Sequence, residues 1–116
     1  MSSQYEIHDR IFQFVVRGLK VPHFLSRSIE SQIIINQYIR ALTSIGANDN
    51  EADGVTSKKD FIHVYTIVRK ELKETRYWLR IILETCPNVE KRMDLLLKEN
   101  EELIKIVSSI IVSASK

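Results

Sequence analysis

Residues 57–85, SKKDFIHVYTIVRKELKETRYWLRIILET, contain neither glycine nor proline. Phe61, Val64, Tyr65, Val68, Leu72, Leu79 and Leu83 recur through the stretch at the spacing of one helix face. Ser57 followed three residues later by Asp60 is a helix-start signal close to a capping box. The spacing therefore predicts one long helix ending near Thr85, before the CPN that follows. An amphipathic helix must bury its stripe against other elements, so the flanking sequence decides the fold.

On the N-terminal side, residues 48–54, NDNEADG, supply a stop and a turn, with Gly54 expected at positive φ. Before it, Ile35, Tyr38, Ile39, Leu42 and Ile45 make the stripe of a helix beginning between Phe24 and Ser28 and running to about Glu51. Pro22, in KVPHF, disfavours helix at Val21. It separates this helix from an earlier one carrying Ile7, Ile11, Phe14, Val15, Gly18 and Leu19. On the C-terminal side Asn88 is the expected N-cap of a last helix. There Val89, Met93, Leu96, Asn100, Leu103, Val107, Ile110 and Ala114 step alternately by four and three. Such a heptad seam fits shallow, left-handed helix packing. Asn100 interrupts it, either as a polar layer fixing register or as a residue at the seam's wet edge between Glu99 and Glu101. Four amphipathic helices joined by short loops predict an all-α fold, an antiparallel up-down-up-down four-helix bundle filling a single domain, 1–116.

The composition agrees. A chain of 116 residues suits one domain, and 44% apolar with 28% charged residues is the balance of a soluble globular protein. A net charge of +2 says little about partners. Cys86, the sole cysteine, excludes an internal disulfide framework and suits a reducing compartment. The polar N-terminus MSSQYEIHDR has no apolar core of a signal peptide, and no apolar run approaches the roughly 20 residues of a membrane span. A cytoplasmic protein without a membrane partner is expected.

At about 100° per residue, the third helix divides into three faces. Phe61, Val68, Leu72 and Leu79 look into the core. Arg69, Lys73, Arg76 and Arg80 fall within roughly 60° of one another, and Lys58 extends their line backwards. Asp60, Ile67, Glu71, Glu74 and Trp78 form a flank on the other side. The signs of charge are sorted rather than mixed, and the lone tryptophan lies off the core stripe. On the preceding helix Arg40, Ser44, Asn48 and Glu51 line up nearly opposite Tyr38, Leu42 and Ile45. An antiparallel hairpin brings Arg40 level with about Arg69 to Glu71, so an Arg40–Glu71 ion pair is expected, against simple solvation of the same charges.

Catalytic chemistry finds little support. The Glu-x-x-His pairs of di-metal bundles are absent, and Asp60-x-x-His63 occurs once. His8, His23 and His63 lack metal spacing, and Cys86 has no evident base beside it. Glu71 and Glu74 lie among Arg and Lys, which favours ion pairing over acid catalysis. There is no glycine-rich phosphate loop. No enzyme, cofactor or metal is expected.

The segments RALTSIGANDNEA (40–52), SKKDFI (57–62) and KELKETRYWLR (70–80) resemble the bacterial four-helix-bundle family first noticed as reading frames inside intervening sequences of large-subunit (23S) rRNA genes. The resemblance is close from about residue 29 to 83. It carries over to Arg40, Ser44, Asn48, Glu51, Ser57, Asp60, Phe61, Lys70, Glu71, Glu74, Thr75, Tyr77 and Trp78. It implies an antiparallel bundle that assembles as a cyclic pentamer, with no established catalysis. The similar accessory subunit of diversity-generating retroelements implies RNA or DNA, and a reverse transcriptase, as partners. Where the family places an apolar residue after Ala47-Asn48, this chain has Asp49, and its charge is weaker than the retroelement subunit's. Two functions follow. The first is a homo-oligomer that contacts nucleic acid through Lys58, Arg69, Lys73, Arg76 and Arg80. The alternative is a protein-interaction scaffold whose basic line is merely solvated. In either, Arg40, Ser44, Asn48, Glu51, Asp60, Glu71, Glu74 and Trp78 are expected to fix the corner between the second and third helices and a subunit contact.

Overall fold

The computed structural model describes residues 3–86 and 90–116. Four helices follow in order: α1 (Ser3–Gly18), α2 (Ile29–Ala52), α3 (Lys58–Thr85) and α4 (Glu90–Ser115). Each packs on its two neighbours, α1 on α2 and α4, and α3 on α2 and α4, which closes a four-helix bundle. The extents are 45 × 24 × 19 Å, and the long axis matches helices of this length at about 1.5 Å per residue. Among the described residues no helix is long and apolar enough to cross a membrane.

Local chemistry sets the boundaries. The hydroxyl of Ser57, on extended backbone, accepts from the Asp60 amide at 3.1 Å and caps α3. Ser28 caps α2 in the same way through the Ser31 amide, also at 3.1 Å. In both cases a hydroxyl satisfies an amide that the first turn leaves without a helical partner. The second helix starts later than the earliest expected position. Val21–Phe24 instead form a single 3-10 turn, because Pro22 suits its first turn and Leu25 then becomes extended. Gly54 corrects another expectation: among the described residues none has positive φ. Right-handed Asp53 closes the turn, and the Gly54 amide donates to the Glu51 carbonyl at 3.0 Å. Asn88 and Val89 lie outside the described residues.

The stripes meet as the periodicity requires. Ile7, Ile11 and Phe14 of α1, Tyr38, Leu42 and Ile45 of α2, Val68, Leu72 and Leu79 of α3, and Met93, Leu103 and Val107 of α4 share one core. The seam of α4 drifts along its length. Ile104 and Ile111 are buried while Ile110 is only half-buried, as a 3.6-residue helix drifts against a strict heptad. At Gly18, α1 lies close against α2. A Cβ there would lie 2.7 Å from Leu42 Cδ2 and 2.8 Å from Tyr38 Oη. The absence of a side chain lets Tyr38 bury its ring and donate its hydroxyl to the Gly18 carbonyl at 2.8 Å.

Asn100 is not at a wet edge. It is fully buried, and its Nδ2 donates to the Leu72 carbonyl at 3.0 Å. It is a polar link between α4 and α3, although among the described residues its Oδ1 and the buried Thr75 Oγ1 have no hydrogen-bond partner.

Candidate functional site

The basic line of α3 is held by helix geometry alone. Arg69, Lys73, Arg76 and Arg80 project from the flank of α3 away from Glu71, Glu74 and Trp78, since the two sets differ by nearly half a turn. Lys73 and Arg80 are exposed, whereas Arg69 and Arg76 are half-buried, as arginines are when their stems cover apolar surface. Among the described residues none of the four makes an ion pair with a carboxylate. From Arg69 to Arg80 the line rises about 16 Å. That length spans roughly five nucleotides of a B-form strand. Lys58 stands apart at the start of α3. Its Nζ donates to the Lys116 carbonyl at 2.7 Å, so it ties down the end of α4 and is engaged.

On the opposite flank the expected ion pair is present and wider than expected. Arg40 Nη1 lies 3.7 Å from Glu71 Oε2, and its Nη2 donates to Glu74 Oε2. The same Glu74 oxygen accepts from Trp78 Nε1 at 3.2 Å. Trp78 is half-buried against the core, and its ring meets Tyr77 edge-on at 4.9 Å. Glu71 is buried, so Arg40 is its principal compensation; a carboxylate out of water needs a partner. Ser44 and Asn48 do not join this network. Asn48 Nδ2 donates to the Ser44 carbonyl at 2.9 Å and to its hydroxyl at 3.1 Å, within α2 itself. Glu51 and Asp60 are exposed; Asp60 contributes its backbone amide to the Ser57 cap. Thus Arg40, Glu71, Glu74 and Trp78 clasp α2 to α3, while among the described residues the side chains of Ser44, Asn48, Glu51 and Asp60 make no hydrogen bond or ion pair between the two helices.

A second polar clasp escaped the sequence reading. Asp49 is buried, and its Oδ1 accepts from Tyr65 Oη at 2.7 Å and lies 2.8 Å from His8 Nδ1. One carboxylate therefore joins α1, α2 and α3. Burial raises the Tyr65 hydroxyl well above the ordinary tyrosine value, and the hydrogen bond and charge of Asp49 add to the rise. A signal was available: Asp49 falls four residues past Ile45 on the α2 stripe, where an acid must find donors. Arg10 and Glu99 make another link, from α1 to α4, with Nη2–Oε1 at 2.7 Å and Nε–Oε2 at 3.1 Å. This paired fork raises the Arg10 guanidinium, with partial opposition from burial. His23 and His63 are exposed and Cys86 is half-buried. Among the described residues no group of three or more His, Cys, Asp or Glu is placed to hold a metal ion.

The family model described as 23S rRNA-intervening sequence protein matches residues 3–109. A solved crystal structure from Bacteroides thetaiotaomicron, of a protein with unknown function from the S23 ribosomal protein family, is 32% identical. The match covers 90% of this chain and 97% of that one, with a TM-score of 0.78. No curated protein matches the chain.

Proposed function

This chain belongs to the 23S rRNA-intervening sequence protein family, and we propose that it acts without catalysis, as a self-associating bundle that holds nucleic acid by its phosphates along α3. The observation that carries this reading is the sorting of charge. Acid and cation pair on the α2 side of α3, while Arg69, Lys73, Arg76 and Arg80 have no carboxylate partner among the described residues. An unpaired guanidinium can hold phosphate oxygens in a fixed fork, and such a phosphate contact carries no base-sequence information. A net charge of +2 is modest for such a role. Self-association repeats the line and converts weak contacts into useful avidity.

The test is the anisotropy of labelled RNA and DNA as salt is raised. Four neutralised phosphates give a log–log slope of about −3 to −4 per protomer engaged. Replacing Arg69, Lys73, Arg76 and Arg80 together by Gln should abolish most of that slope. A flat salt response, or a variant that binds as the parent does, contradicts the proposal. Ile29 and Ile33 of α2 and Tyr77 of α3, all largely exposed, favour a second reading in which the bundle is a protein scaffold. That reading expects a protein partner that stays bound after nuclease treatment.

A further inference from the structure

Where α1 ends and α4 begins, a pocket of about 210 Å³ is lined by cations and apolar side chains, and among the described residues no acidic side chain lines it. Its floor is Val21, Met93 and Leu96, all buried. The 3-10 turn of Val21–Phe24 buries Val21 and leaves Phe24 47% exposed at the rim. The Arg92 guanidinium lies over the Phe24 ring, 4.3 Å from its centre, a cation–π contact that forms a ring–guanidinium platform. Arg17 and Lys20, both exposed, complete the lining.

We propose that this pocket takes one unstacked base of a single-stranded nucleic acid, packed on the Phe24–Arg92 platform, with the flanking phosphates held by Arg17 and Lys20. The proposal rests on the phosphate-binding reading of α3 and adds to it the preferred form of nucleic acid. The volume lies below the roughly 300 Å³ at which pockets take drug-sized ligands, so a single small ring system suits it and a duplex does not. Aromatic and guanidinium planes are the surfaces on which splayed bases stack. The position also fits. In this antiparallel bundle α3 ends where α4 begins, so a strand laid along Arg69 to Arg80 runs toward the end of the molecule that carries the pocket.

The test is the affinity of the full chain, at low salt, for a labelled single-stranded oligonucleotide, an abasic strand of the same length, and a duplex. Phe24→Ala should weaken binding of the base-bearing strand about tenfold, the effect of one stacked base. It should leave the abasic strand and the duplex unchanged, and Phe24→Trp should preserve the preference. Arg17→Gln and Lys20→Gln should each lower the salt slope by about one for the single strand. Phe24 is half-exposed, so circular dichroism should show both variants folded. Equal binding of base-bearing and abasic strands, with the α3 variant still impaired, overturns this pocket's role and leaves the α3 reading standing. No binding of any nucleic acid overturns both. A change of self-association in Phe24→Ala without a change in strand binding identifies a chain–chain contact and also overturns the proposal.

Discussion

Asp49 lies on the apolar stripe of α2, yet it is buried among partners that satisfy it. Tyr65 donates to it from α3, and His8 reaches it from α1. The cost of a buried carboxylate is offset by hydrogen bonds rather than by a change of exposure. Tyr65 and Tyr38 are both held above the ordinary tyrosine value, near 10, by burial first. The sign of the linkage follows. Below about pH 10 both folded and unfolded chains keep these protons; above it the unfolded chain releases protons that the folded chain retains, so stability falls as pH rises. Tyr65→Phe should therefore flatten the loss of stability above about pH 10, while costing about 1 kcal/mol at neutral pH for the lost donor. Urea unfolding across pH checks this, and an unchanged alkaline slope contradicts it. Arg40 and Glu71 were legible because hairpin geometry brings them level. His8 was not, since nothing in the spacing of α1 says which distant residue its ring will meet.

The helices themselves were legible where period and cap agree. Ser57 with Asp60, and the stripe behind them, place α3 to within a residue. Turn chemistry was less legible. Gly54 suits positive φ, but a five-residue connection closed by right-handed Asp53 makes no use of it. Gly18 is the glycine that packing requires. Gly18→Ala should cost about 1–3 kcal/mol in urea unfolding, because the new methyl overlaps Leu42 and Tyr38, which outweighs alanine's better helix propensity. A stabilised variant would show that the α1–α2 contact is looser than described. Asn100 tests the α3–α4 seam. Asn100→Leu removes a buried Oδ1 that has no partner among the described residues and also the Nδ2 bond to the Leu72 carbonyl, opposing effects of about 1 kcal/mol each, so stability should change by less than about 1 kcal/mol. A large loss in the same assay would mean that the amide is satisfied by water and is part of the fold.

At the scale of the molecule, one face of each helix builds the core and others are left over. The α2–α3 flank keeps Trp78 half-buried and bonded to Glu74 within the chain, with Ile33 and Tyr77 exposed on the same two helices. Self-association should cover such apolar surface, and native mass spectrometry should find an assembly larger than a monomer at micromolar concentration; lone monomers would contradict it. The central claim concerns the other flank, and the most direct measurement is the NMR shift of the arginine Nε–Hε groups as a single-stranded oligonucleotide is added at low salt. The account predicts that Arg69, Arg76 and Arg80 shift and return as salt is raised, while Arg40, already held by Glu71 and Glu74, stays in place. Shifts confined to Arg40, or none at all, would contradict it.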